Sequence, residues 1–349
     1  MIRLEHAKKT YSSFQLDCSM EIREGQITAL IGANGAGKST TFKLILGLIR
    51  PESGEVAVFE HPVSELTIEE RQQIGVVLSD AGFSEYLTIK DLLPILEALY
   101  PAFDKERFCN YCERFSLPMD KKIREFSTGM KAKLKVLTAI CNRDARLLIL
   151  DEPTAGLDVM VREEILDLLR EFMLPGDRSI LISSHISSDL EGLCDDIYLI
   201  DQGQIHFHEQ TDVLLEQYGI LKVTPEQYET LDKEWILKEK KESYGYACLT
   251  NQKQYYMENW PQIAVEKGSV DQVLMIMAGR SLFSGMMLGF FLSGIVGVKK
   301  LKGSLLLEQI QTLLQAKGLL LVLVGILIYA LILGISYRIS VRIIEKREF

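Results

Sequence analysis

Short apolar runs alternate with amphipathic helical patterns along the first part of the chain. The first strands end in the apolar run 27–31, and a helical pattern follows a glycine-rich turn. The runs 146–150 and 179–183 are short and continuous, as is typical of strands buried on both faces. A helical pattern at 159–172 lies between these two runs. The alternation predicts an α/β fold, with a parallel sheet that is covered by helices on both faces.

A second, mostly helical pattern interrupts this alternation. Strands are predicted around a helical stretch near 64–73, and a helical block follows at about 88–141. Pro94, Pro101 and Pro118 are expected to break that block into separate helices. Because strands flank the block on both sides, we interpret it as a helical subdomain inserted into the α/β domain.

The last third of the chain consists of a polar region followed by a hydrophobic one. Residues 206–280 are polar and rich in tyrosine, which predicts a small mixed α/β appendage after a first domain at 1–205. Residues 281–349 form a hydrophobic tail with two candidate transmembrane helices, 281–298 and 318–337. The second run has twenty residues without a charge, and as a helix it would be about 30 Å long, enough to cross a bilayer. A helical tail that docks on a protein is the alternative.

Composition and charge exclude some classes of protein for this chain. The chain has 349 residues, of which 47% are hydrophobic, and a net charge of −9, which excludes a disordered chain. The tail alone carries eight Lys or Arg against three Asp or Glu, so the body is strongly acidic. An acidic body argues against nonspecific binding of nucleic acid. Basic residues directly after the second apolar run favour a cytoplasmic end at a membrane.

A glycine-rich segment of nine residues between a buried strand and a helix fits the phosphate-loop pattern GxxxxGK[ST]. Its glycines allow successive backbone amides to face an anion at the helix N-terminus. Lys38 is expected to reach the β and γ phosphates of a nucleoside triphosphate, and Ser39 to bind Mg²⁺. The segment consists of Gly32, Ala33, Asn34, Gly35, Ala36, Gly37, Lys38, Ser39 and Thr40.

Two acidic residues end the buried run at 146–150. Asp151 stands at the carboxyl end of the predicted strand, where it would hold Mg²⁺ directly or through water. Glu152 follows it and would polarise the water that attacks the γ phosphate. Together with the phosphate loop, this pair predicts hydrolysis of a nucleoside triphosphate.

The segment FSTGMK, which contains Ser127, Thr128 and Gly129, resembles the LSGGQ signature of ATP-binding subunits of ABC transporters. The resemblance covers about residues 1–220 and implies the phosphate-loop fold of the ABC cassette, with a helical signature subdomain. In that family the signature closes over ATP that is bound to a second subunit. The resemblance therefore implies that these three residues contact nucleotide bound to a second copy of the chain or to a similar ATPase.

The resemblance implies roles for three more residues, and at one position this chain differs from the family. Tyr11 matches the aromatic residue that stacks on adenine, Asp158 matches the loop that communicates across the dimer, and His185 matches the residue that hydrogen-bonds the γ phosphate. The family has a glutamine after the strand that matches IGVV, but this chain has Ser79 there. Asp80 comes next, and we predict it as a replacement ligand for Mg²⁺.

The resemblance implies an ATP- and Mg²⁺-dependent ATPase that drives a membrane permease from the cytoplasmic side of the cell membrane. Within the family, the chain is similar to ATPases of type II ABC exporters that serve amphipathic or antimicrobial peptides, including phenol-soluble modulins. The alternative is a soluble ABC-type ATPase that acts on ribosomes or DNA. Such proteins have two cassettes in one chain or long coiled coils, and this sequence has neither pattern.

Overall fold

The computed structural model of the chain describes residues 1–184 and 188–278. The tail at 281–349, with its two candidate spans, and His185 lie outside the described residues. None of the helices in the described part of the chain is long and apolar enough to cross a membrane.

The first half of the described chain contains both strands and the helical subdomain. In chain order its elements are β1 (Ile2–Tyr11), β2 (Phe14–Ile22), β3 (Ile27–Ile31), α1 (Lys38–Ile45), β4 (Ser53–Val58), β5 (His61–Pro62), α2 (Ile68–Gln72), β6 (Ile74–Val77), α3 (Ile89–Leu99), α4 (Lys105–Arg114), a 3₁₀ turn at Ile123–Glu125 and α5 (Thr128–Ile140). These bounds confirm the predicted strands before residue 31 and the helical block after residue 88.

The second half completes the main sheet and adds the appendage. Its elements are β7 (Leu147–Asp151), α6 (Val159–Met173), β8 (Ser179–Ser184), α7 (Ser188–Glu191), β9 (Asp196–Asp201), β10 (Gln204–Gln210), α8 (Thr211–Gln217), β11 (Gly219–Val223), α9 (Pro225–Thr230), β12 (Ile236–Glu242), β13 (Gly245–Thr250), α10 (Lys253–Asn259), β14 (Ala264–Lys267) and α11 (Val270–Ala278).

The central sheet has the strand order β10-β9-β3-β8-β7-β6. All neighbouring pairs are parallel except the edge pair β9 and β10, so the predicted parallel sheet is confirmed. Every residue of β3, β7 and β8 is buried. On β7, Leu148 and Leu150 pack into one core, while Leu147 and Ile149 pack into the core on the opposite face. A second, antiparallel sheet, β2-β1-β4-β5, contributes to that opposite core.

The prediction of a helix break at Pro94 is wrong. Pro94 lies inside α3, which runs from Ile89 to Leu99 and buries Leu92, Leu93 and Leu96. A proline in a helix removes one backbone hydrogen bond. The capping box at Thr88 and the buried apolar face of α3 stabilise the helix on both sides of this position.

The appendage is a four-stranded antiparallel sheet in the order β12-β13-β11-β14. Its chain order is strand, helix, strand, strand, helix, strand, which is the ferredoxin-like arrangement. One face packs with α9 and α10 around the buried Tyr256. Ile220 and Leu249 on the other face belong to the same core as α11 and the central sheet. The predicted mixed appendage therefore shares its core with the first domain.

Candidate nucleotide site

The phosphate loop connects the buried strand β3 to helix α1, as the sequence predicts. Gly32 has no room for a side chain, because a Cβ atom there would lie 2.3 Å from the carbonyl oxygen of Ile200. Gly37 has a φ of 120°, which side-chain-bearing residues rarely adopt. Ala33, Asn34 and Gly35 are exposed between these fixed positions. The loop is therefore held by its backbone and is open to a ligand.

Lys38 begins α1 and is buried, with 5% of its surface exposed. Its ammonium donates to the carbonyl oxygen of Gly32 at 2.7 Å and lies 3.3 Å from Oε1 of Glu152. The positive end of the helix dipole and the ammonium thus meet at the same point. This arrangement favours an anionic ligand such as a phosphate group.

The side chain of Asp151 is 2% exposed and accepts three hydrogen bonds from serine hydroxyls. Ser39 and Ser79 donate to its Oδ2 at 2.9 and 2.8 Å, and Ser183 donates to its Oδ1 at 2.7 Å. Hydroxyl and carboxylate oxygens are ligands that suit Mg²⁺, which is often bound by few protein groups together with substrate phosphates. The oxygen atoms around Oδ2 therefore fit the predicted metal.

Glu152 follows directly and has a φ of 53°, in the left-handed region. Such a backbone conformation costs about 1–3 kcal/mol in a non-glycine residue and is typical of functional sites. The Glu152 amide donates to the Ser183 hydroxyl at 3.0 Å, which ties this turn to β8. The strained turn places the Glu152 carboxylate beside Lys38, so the predicted base and the phosphate loop meet.

Asp80 lies in the turn after β6, next to Ser79. Its carboxylate is 62% exposed and pairs with the ammonium of Lys43 on α1 at 2.9 Å. The hydrogen bond from Lys43 lowers the pKa of Asp80 and raises the pKa of Lys43. The structure instead brings Ser79, the neighbouring residue, into contact with Asp151. The role of Asp80 as a metal ligand stays a prediction, and its ionic partner in this structure is Lys43.

The signature residues and Asp158 form a second cluster. Ser127 caps α5 by accepting a hydrogen bond from the amide of Met130 at 3.2 Å. Asp158 caps α6 through the amide of Val161 at 3.0 Å. A Cβ atom on Gly129 would lie 3.1 Å from the Val161 side chain, so the two helix starts pack closely. Thr128 is the first residue of α5. These contacts hold the cluster at the N-termini of two helices.

Tyr11 ends β1 and is 45% exposed. Its ring centre lies 6.4 Å from that of Phe14, across the turn to β2. The exposed ring agrees with the predicted role on adenine, which stays a prediction, as does the role of His185.

Sequence reasoning missed Ser183 and assigned no contact to Ser79. A usable signal existed for Ser183, because parallel pairing places the ends of neighbouring strands side by side, and Asp151 is paired with Ser183. Parallel pairing of β6 with β7 likewise places the turn with Ser79 near Asp151, but it does not fix the direction of the side chain in that turn.

Cys109 and Cys112 have the spacing of a CxxC pair, and both lie on α4. Cys112 is buried in α4, and burial raises the pKa of its thiol to about 12, which disfavours the reactive thiolate. Cys109 is half-buried on the same helix. Both cysteines are free thiols.

Comparison with known proteins identifies the family. The sequence model of the ABC transporter family matches residues 16–155. The chain is 34% identical to the ABC transporter ATP-binding protein YtrB of Bacillus subtilis over 225 residues, which cover 62% of this chain and 75% of YtrB. It is 32% identical to the lantibiotic transport ATP-binding protein SrtF of Streptococcus pyogenes over 223 residues, which cover 61% of this chain and 92% of SrtF.

A solved structure of an ATP-binding subunit of an ABC transporter aligns with this chain at a TM-score of 0.56 and 26% identity. The alignment covers 62% of this chain and 92% of that structure. The matched regions include the phosphate loop and both acidic residues at the end of β7. The chain therefore belongs to the ATP-binding proteins of ABC transporters, and it is an ATPase.

Proposed function

We propose that this chain hydrolyses ATP to drive a membrane exporter, with the ATP site formed around Lys38, Asp151 and Glu152. The main observation in support is that these three side chains lie close together at the carboxyl ends of β3 and β7 in the central sheet. Transfer of a phosphoryl group to water needs groups that bind the phosphates, hold the metal and accept a proton. The start of α1 with Lys38, the buried Asp151 and Glu152 are suited to these three tasks.

Each group has a distinct task in this proposal. The loop amides and the Lys38 ammonium hold the β and γ phosphates, and Ser39 with Asp151 holds Mg²⁺. Bound Mg²⁺ would neutralise charge on the phosphates. Glu152 accepts the proton of the attacking water, and binding of the γ phosphate draws Lys38 away from Glu152. Tyr11 supports the adenine ring.

The proposal includes a second copy of the cassette. In the free chain, the cluster at Ser127 and Asp158 is held by contacts with Met130 and Val161. Ser127 and Thr128 are exposed at the start of α5, and the N-terminus of a helix suits an anion that a neighbouring subunit presents. Two cassettes would thus enclose two ATP molecules, and hydrolysis would separate the cassettes and reset a permease.

The transported substrate is proposed to be a peptide. The supporting observation is the similarity to SrtF, whose name assigns it to lantibiotic transport. The name of YtrB gives no substrate, so the proposal of a peptide rests on SrtF and not on YtrB. A role on ribosomes or DNA is not favoured, because the chain has one cassette and an acidic body.

We propose further that residues 1–205 act as the cassette, 206–280 as an accessory region and 281–349 as a membrane anchor. The run 318–337 supports the anchor, because each Leu, Ile or Val at the centre of a span favours insertion by roughly 0.3–0.6 kcal/mol. The cassette would then lie at the cytoplasmic face of the cell membrane, beside its permease.

Expression of the full chain without a permease tests the anchor. We expect the chain to stay with membranes after an alkaline carbonate wash. Leu323→Arg combined with Ile328→Arg should release it, since each arginine at the centre of a span costs about 2.5–3.5 kcal/mol. The matched control is Gln309→Arg with Gln311→Arg, outside both candidate spans, which should remain in the pellet. Recovery of the unmodified chain in the supernatant would contradict the anchor and favour a docked tail.

A further inference from the structure

We propose that an exposed surface on the appendage binds the anionic lipid headgroups of the leaflet in which the tail is anchored. We call this surface the β12 patch, and it consists of Trp235, Leu237, Lys238, Lys240 and Lys241. The inference rests on the proposed anchor at 281–349 and extends it, because it gives the accessory region a partner of its own.

All five side chains of the β12 patch are exposed, and two of them are large and apolar. Trp235 is 39% exposed and Leu237 is 44% exposed. β12 is an edge strand, and lysines on an edge strand serve to prevent pairing with another chain. That role accounts for the lysines but not for Trp235 and Leu237. Tryptophan and leucine beside lysines are the combination that suits a membrane interface, where the apolar groups enter the headgroup layer and the ammonium groups face its charges.

A β-bulge explains why Leu237 is exposed. Ile236 pairs with Thr250 and Lys238 pairs with Leu249, so Leu237 has no partner on β13. A bulge of this kind bends the strand and changes the direction of a side chain. The backbone of β12 therefore presents an apolar residue directly before the lysines.

The acidic residues of β12 have partners inside the appendage. Glu242 pairs with Lys222 at 2.9 Å, and Glu239 accepts a hydrogen bond from a tyrosine hydroxyl on α9. Within the described part of the chain, Lys240 and Lys241 form no ion pair. The exposed charge of the β12 patch is therefore positive, although the body of the chain is acidic.

Lys238 connects the β12 patch to the point where the tail begins. Its ammonium donates to the carbonyl oxygen of Met277 at 2.6 Å, in the last turn of α11. The first candidate span begins only four residues later, at residue 281. Four residues extend over at most about 14 Å. The headgroup layer of one leaflet, about 5–8 Å thick, and one Debye length of about 8 Å together cover this distance. An anchored chain therefore holds the patch where it meets the charges of the leaflet.

The charge of the patch selects anionic over neutral lipid. The cytoplasmic leaflet is negative, and each lysine close to it strengthens binding by about fivefold, or about 100-fold for three lysines. The acidic body is repelled by the same leaflet, so attraction has to come from cations that lie near the tail. The β12 patch provides them together with a tryptophan.

Quenching of tryptophan fluorescence by brominated lipid tests this contact, because the chain has only two tryptophans. Trp260→Phe leaves Trp235 as the emitter, and Trp235→Phe leaves Trp260, which packs against the core of the appendage. Each full-length variant is reconstituted into vesicles of brominated phosphatidylcholine, with or without phosphatidylglycerol. We expect phosphatidylglycerol to cause a loss of Trp235 emission and to leave Trp260 emission unchanged.

Removal of the three lysines tests the role of charge. In the Trp260→Phe background, Lys238→Gln, Lys240→Gln and Lys241→Gln together should abolish the loss of emission that phosphatidylglycerol causes. The matched control removes three exposed lysines from the helical subdomain, and it should keep that loss; its changes are Lys90→Gln, Lys105→Gln and Lys121→Gln.

Four results would overturn the inference. Equal quenching of Trp235 with and without phosphatidylglycerol would show that anionic lipid is not recognised. An unquenched Trp235, in a chain that stays with the vesicles through a carbonate wash, would show that the patch faces away from the bilayer while the anchor holds. Disulfide formation between two chains of Lys240→Cys would instead show that a second copy covers β12. Release of the chain by the wash would contradict the proposed anchor itself, and the inference with it.

Discussion

Replacement of Glu152 by glutamine is expected to lower ATP turnover by about 10²- to 10⁴-fold, the usual contribution of a general base. The amide keeps the size of the side chain but does not take up the proton of the attacking water. ATP binding should be kept or strengthened, since the neutral side chain removes the ion pair that holds Lys38 at 3.3 Å. Phosphate release and binding of a fluorescent ATP analogue measure the two effects separately.

Glu97→Gln is a control for this change. Glu97 pairs with Lys105 at the surface of α3 and α4, and its loss should leave turnover within about twofold of the unmodified chain. Near-normal turnover in Glu152→Gln would show that another group acts as the base.

Replacement of Lys38 by alanine is expected to weaken ATP binding by about 10- to 150-fold. The estimate follows from hydrogen bonds to charged groups, which contribute about 1.5–3 kcal/mol each. The ammonium is buried at the start of α1, where solvent screens it little. Titration with the fluorescent analogue gives the affinity.

Lys9→Ala provides the comparison, because Lys9 pairs with Glu52 on the second sheet. Its removal should leave the affinity for ATP unchanged. An affinity of Lys38→Ala within twofold of the unmodified chain would mean that the loop amides alone hold the phosphates.

Much of the fold was predictable because its central strands are unusual in sequence. β3, β7 and β8 are each built around a short apolar run, and such runs are typical of strands in a sheet that is covered on both faces. The phosphate loop was predictable for a related reason. Gly32 and Gly37 satisfy backbone requirements that other residues do not meet, so the pattern itself reports the local conformation.

The rest depended on partners that are distant in sequence. Ser79 and Asp80 are adjacent and both polar, yet one contacts Asp151 and the other Lys43. Only the direction of each side chain in the turn decides between these partners. Pro94 was misread because the buried face of α3 outweighs one lost hydrogen bond. The strand order of the appendage likewise arises from long-range pairing, which local patterns do not encode.

In the proposed cycle, ATP joins two cassettes and Glu152 is needed to release them. The mass of full-length Glu152→Gln in detergent, measured by light scattering with and without ATP, tests this step. We expect ATP to double the mass of the protein, and we expect no doubling when Gly129→Asp is added, because that change puts a negative charge at the start of α5. Protein that binds ATP but keeps the mass of a single chain would contradict the claim.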